Sequence, residues 1–195
     1  MKCNLLVESA VAKSEVKVSK IDEKVTDHDK RITTLEIMAD DYEQSKRGNN
    51  IIVRGLQPKT NPKEGVVNMI VAGLGIHATE ADIKYSIKID LKNEKPGTES
   101  MRVAFFDQKM RDDVYARRTT LKGTQVYISE DLTMKRSSLA FEARQHARNF
   151  PNCTTWTLQG TIFMKDSIDS KPRVIHRIED LEPANAAQAT SPRTY

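Results

Sequence analysis

The sequence predicts an α+β protein in three parts. An N-terminal helix forms a parallel coiled coil, a β-α-β-β-α-β domain follows, and a smaller unit of one helix and a short sheet closes the chain. Three observations predict this. A heptad repeat runs through residues 1–45 with no Gly or Pro before Gly48. Strand-length and helix-length apolar patterns then alternate over residues 46–131. One more helical stripe and three strand-like runs occupy residues 132–182. The tail, residues 183–195 (PANAAQATSPRTY), has the composition of a disordered segment.

The heptad is read by stepping seven residues at a time. Val11, Val18, Val25, Ile32 and Ala39 fill position a, and Ser14, Ile21, His28, Leu35 and Tyr42 fill position d. A repeat of 3.5 residues per turn keeps one apolar seam facing a partner helix along the whole rod. From about Val7 to Glu43 that rod is on the order of 55 Å long, at about 1.5 Å per residue. The flanking charges fix direction. Lys17, Lys24 and Arg31 at g face Asp22, Asp29 and Glu36 at e of the next chain when identical chains run parallel. An antiparallel pair would set base against base and acid against acid. Arg31-Ile32-Thr33-Thr34-Leu35-Glu36 resembles the R-h-x-x-h-E pattern (h apolar) of parallel trimers, in which the Arg covers the seam and pairs with a neighbour's Glu. A trimer is the first expectation and a dimer the second. The oligomerisation set is Val18, Ile21, Val25, His28, Arg31, Ile32, Leu35 and Glu36. His28 is read as a polar layer that fixes register.

Lys46-Arg47-Gly48-Asn49-Asn50 ends the helix. Ile51–Leu56 reads as a buried strand, and Pro62 opens a helix closed by Gly73 and Gly75. Ile83–Ile89 alternates as a half-exposed strand, and 93–100 is a loop. Met101–Phe106 is a strand, Lys109–Leu121 a helix and Thr124–Ser129 a last strand. The order is that of the ferredoxin-like split βαβ fold, which RNA-recognition motifs share with many unrelated proteins. The usual stacking aromatics are missing from the first and third strands: Ile52 stands where one is expected, and of Phe105 and Phe106 at most one faces the open sheet. In the last third, Asp131 or Thr133 caps a helix to about Asn149, whose stripe is Leu132, Leu139, Ala143, Ala147 and Phe150. Thr154–Leu158, Thr161–Lys165 and Arg173–Ile178 read as strands.

Charge is uneven along the chain. Residues 1–45 carry seven Lys/Arg against ten Asp/Glu, whereas residues 46–195 carry 24 against 17. A basic body behind an acidic rod points to a polyanion met by the body. The candidate phosphate contacts are Lys46, Arg47, Arg54, Arg102, Arg117, Arg118, Lys122, Arg144 and Arg148, with Arg111 in the same basic company. The four histidines, His28, His77, His146 and His176, lie in different elements without metal-site spacing. No phosphate loop or nucleophile elbow occurs, so no catalytic residue, metal or cofactor is expected. Two cysteines and no long apolar run predict a reducing compartment, cytoplasm or nucleus, and no membrane partner.

Several pieces together, namely the coil, NNIIVRGL, VYISEDLTMKRSSL and the W-x-x-x-G-x-I-F-M-K stretch from Trp156 to Lys165, resemble the first-open-reading-frame proteins of LINE-type retrotransposons. They are equally similar to the baculoviral few-polyhedra (FP) protein and other FP-domain proteins. The resemblance spans roughly residues 10–182. It implies a parallel trimer that binds single-stranded RNA or DNA without reading sequence and acts as a packaging protein or chaperone. It also implies a basic cleft between the RNA-recognition-like and C-terminal domains, at Lys46, Arg47, Arg54, Arg117, Arg118, Arg144 and Arg148. The coil, at five or six heptads, is shorter than in many LINE proteins. The alternative function is a coiled-coil structural or adaptor protein whose globular part binds protein.

Overall fold

The computed structural model describes residues 2–90 and 94–182. The tail expected to be disordered, 183–195, lies outside the described residues, as does the start of the expected 93–100 loop. The protein is α+β, with a long N-terminal helix and two antiparallel sheets. It divides into two compact units between Glu43 and Gln44.

The first unit is helix α1, Lys2–Ser45, up to Glu43. The seam residues predicted from the heptad lie exposed along this single helix: Val18, Ile21, Val25, Ile32 and Leu35 each keep half or more of their surface open. Thr26, Thr33 and Thr34 return their hydroxyls to the carbonyls of Asp22, Asp29 and Lys30. These bonds satisfy side chains that would otherwise compete with the helix.

The second unit begins with a four-stranded sheet of β1 (Asn50–Leu56), β2 (Ile83–Ile89), β3 (Glu99–Phe105) and β4 (Tyr127–Glu130). The spatial order is β2-β3-β1-β4, with every neighbouring pair antiparallel. Helix α2 (Pro62–Asn68) starts on a side-chain cap from Asn61 and widens into a π turn over Met69–Gly73. Helix α3 (Gln108–Ala116) is capped by Asp107 and tightens into a 3-10 turn over Arg117–Leu121. Both helices cover the same face of the sheet. Ile51, Val53, Val103, Phe105 and Ile128 meet Val66, Ile70 and Val114 there in one core. Alternation leaves Ile52, Arg54, Arg102, Tyr127 and Ser129 on the opposite face.

Gly55 breaks the ladder. Its φ is +81°, and a Cβ there would sit 2.2 Å from the Gln125 carbonyl oxygen. Only glycine tolerates that approach. The β1–β3 register accordingly shifts between Val53 and Leu56.

The rest of the unit is helix α4 (Met134–Asn149) on a three-stranded sheet, ordered β5 (Thr154–Leu158), β6 (Thr161–Lys165), β7 (Arg173–Ile175). Leu139, Ala140 and Ala143 of α4 pack on Ile162, Met164, Ile175 and Leu181. Two expectations are corrected here. Phe150 is not part of the buried stripe: it is 49% exposed and its ring lies 4.5 Å from that of His146. The third strand stops at Ile175, because the Asp180 carboxylate accepts from the His176 and Arg177 amides and starts a 3-10 turn.

Arg173 holds that turn to the sheet. Its Nε and Nη2 each donate to the Asp166 carboxylate at 2.8 Å, and it also donates to the Asp180 and Leu181 carbonyls. The adjacent guanidinium holds the Asp166 carboxyl below the usual carboxylate range. A lowered folded-state pKa adds stability above the unfolded value, about 3.9, and that stability is lost as pH falls through the folded value. The difference in melting temperature between wild type and Asp166→Asn is therefore expected to be constant from about pH 7 to 5 and to shrink as pH falls below about 3.9. A difference unchanged at pH 2 would show that Asp166 acts through packing.

Candidate functional site

Two adjacent acids, Glu130 and Asp131, lie between the four-stranded sheet and the α4 layer, both buried. Each collects groups from distant parts of the chain. Glu130 Oε1 accepts from Arg111 Nη2 at 2.9 Å, and its Oε2 accepts from the Gly160 amide at 3.2 Å. Asp131 accepts from Asn50 Nδ2 at 3.0 Å and Arg47 Nη1 at 3.4 Å. Arg102 Nε also lies 3.0 Å from Asp131, close enough for an ion pair but not aligned as a hydrogen bond. Gln44 closes the cluster, donating to the Asp131 carbonyl and accepting from the Thr133 amide at 2.9 Å. Thr133, rather than Asp131, caps α4 through the Arg136 amide.

Gly160 explains the turn between β5 and β6. Its φ is +78°, and a Cβ would fall 2.6 Å from Gln44 Cγ. The ISEDLT and G-x-I-F-M-K stretches thus touch each other directly, through Glu130 and Gly160.

Next to this cluster lies a cleft of about 370 Å³. Its floor is the open face of the four-stranded sheet: Ile52 and Arg54 from β1, Ile89 from β2, Arg102 from β3, and Tyr127 and Ser129 from β4. Its other walls are Ser137 and Arg144 of α4 and Thr157 of β5. Glu130 and Asp131 also border it, but Arg111 faces the first, and Arg47 and Arg102 face the second. The guanidinium groups of Arg54 and Arg144 are left as the excess charge of the lining.

Of the nine predicted contact residues, the cleft brings together three: Arg54, Arg102 and Arg144. Arg47 joins them at one remove, through Asp131. Arg118 stacks its guanidinium 4.0 Å from the centre of the Tyr115 ring, another wall of the cleft. Arg117 does a helix-end job, donating to the Leu74 and Gly75 carbonyls. Arg148 donates to Gln145 on an exposed face of α4, and Lys46 and Lys122 are exposed outside the lining. Arg111 is 3% exposed and serves the interior. Tyr127, Gln44 and the acid pair were not legible as site residues. The alternation Val126-Tyr127-Ile128 held a signal for Tyr127, since a buried Ile128 sends its neighbour to the open face.

Among the described residues, no group of three or more His, Cys, Asp or Glu is arranged to hold a metal ion, and no helix is long and apolar enough to cross a membrane. Comparison with models of known protein families and with curated proteins finds no match to this chain.

Proposed function

We propose that this protein is a self-associating, non-enzymatic binder of single-stranded nucleic acid, RNA first, that holds the strand by its phosphates rather than by its sequence. The observation that carries the reading is the convergence of Arg54, Arg102 and Arg144, from two strands and a helix, on one cleft. The carboxylates bordering it face arginines, so the lining offers an anion net positive charge. Neutralising phosphates releases counterions and gives affinity that falls steeply with salt.

The finer fold reading belongs to the same proposal. The antiparallel order β2-β3-β1-β4, with two helices on one face, supports a ferredoxin-like, RNA-recognition-like domain. The exposed apolar seam of α1 supports a parallel coiled coil, trimeric first and dimeric second. Arg31 has Asp27 within 3.8 Å in its own helix, both side chains largely exposed. Such a pair contributes little, so exchange for Glu36 of a neighbouring helix costs little. These features fit the LINE and FP proteins that the sequence resembles, and a packaging or chaperone role follows from several clefts sharing one strand.

Arg144→Ala with Arg148→Ala is expected to weaken single-stranded RNA binding equally for all sequences. It should also flatten the salt dependence by roughly 0.7 in log–log slope for each phosphate that is no longer neutralised. Filter binding at several salt concentrations measures both, and a loss confined to particular sequences would defeat the phosphate reading.

One observation favours a second reading, an oligomeric adaptor that binds protein. On the outer face of the three-stranded sheet, Trp156 stacks on Phe163 at 5.7 Å, with Leu158 and Val174 exposed beside them. Binding to single strands that ignores salt, or fails altogether, would favour it.

A further inference from the structure

We propose that Tyr127 is a base-stacking platform in the cleft, so that the site takes an unpaired nucleotide and discriminates against duplex. This rests on the nucleic-acid reading above and goes beyond it: phosphate contacts alone do not distinguish a single strand from a helix. Three observations carry it. Tyr127 lines the cleft and is 63% exposed, so its ring is open to a ligand there. It is the register partner of Arg54 across the β1–β4 pair, so ring and guanidinium share one face as direct neighbours. The bulge at Gly55 leaves Arg54 without a register partner on β3, so the β1–β3 ladder is interrupted beside this pair.

An aromatic ring next to a cation matches a nucleotide, which offers a flat π face beside its phosphate. A base gives that face to a protein only when it is out of a duplex stack. Charge complementarity names the same occupant, because Arg54 and Arg144, the excess charge of the lining, share the cleft with the ring.

The test uses the full chain, an oligouridine of about 12 nucleotides and an RNA duplex with the same number of phosphates. Tyr127→Ala and Tyr127→Leu are expected to weaken oligouridine binding about tenfold without changing the salt slope or the duplex affinity. Tyr127→Phe is expected to bind like wild type. A leucine variant that binds like wild type, or a parallel loss on duplex, would overturn the stacking role. Wild-type protein that shows no salt-dependent binding to oligouridine would overturn the nucleic-acid reading and this inference together. Normal wild-type binding with an unaffected leucine variant would overturn only the inference.

Discussion

Glu130→Ala is expected to destabilise the second unit by about 3–5 kcal/mol, the cost of breaking a buried ion pair from one side. Its side chain is 1% exposed and that of Arg111 4%, and they meet at 2.9 Å. Without Glu130, the buried Arg111 keeps the half-exposed Asp112 and a long hydrogen bond to the Asn50 carbonyl. The Gly160 amide loses its acceptor as well. Urea unfolding should show the loss as a lower midpoint. Glu130→Gln is expected to be milder, since an amide oxygen still accepts from one of the two donors. The pair Arg111→Met with Glu130→Leu should recover much of the loss, because no charge is then stranded. An alanine variant as stable as wild type would mean that Glu130 does not join the two layers.

In the proposed coiled coil, Ile32→Asp with Leu35→Asp is expected to reduce the assembly to single chains. The substitutions place two charges in every chain at the a and d layers, where burial in a seam disfavours them. Affinity for a long single strand should fall by about 10²–10⁴, the avidity that linked weak sites gain, while each cleft keeps its own contacts. Sedimentation gives the mass, and circular dichroism of the sheets checks that the second unit is intact. Arg31→Ala with Glu36→Ala is the finer version and should lower oligomer state or melting temperature. Wild-type protein that sediments as one chain would remove the coiled-coil proposal, and with it the avidity.

Local structure was largely legible because its signals are local. A continuous apolar run located β1, alternation located β2, the Met101–Phe106 stretch located β3, and Pro62 and the paired glycines bracketed the α2 turn. Thr133 was one of two caps that the sequence allowed, and the choice fell on it because Asp131 is taken by Asn50, Arg47 and Arg102. The last strand of the first sheet was expected from Thr124 but begins at Tyr127. Thr124 instead closes a turn, donating to the Leu121 carbonyl and accepting from the Val126 amide. A hydroxyl that competes for backbone groups leaves no trace in an apolar pattern.

The candidate site was half legible, and the reason is the range of its contacts. A list of arginines can be read from a chain, but not which of them face a carboxylate. Arg111 and Arg148 look alike in sequence; one reaches Glu130 in the interior, the other bonds Gln145 at the surface. The sequence by itself determined the heptad spacing of apolar residues along α1 and its charge pattern, since both depend on spacing within one helix. It also determined the α+β order, because strand and helix periods are written residue by residue. Only the tertiary structure decided that Arg54, Arg102, Tyr127 and Arg144 share a cleft. That sharing follows from pairing between strands far apart in the chain and from Glu130 binding Gly160 thirty residues on. A distance of this kind is fixed by packing, which no local pattern encodes.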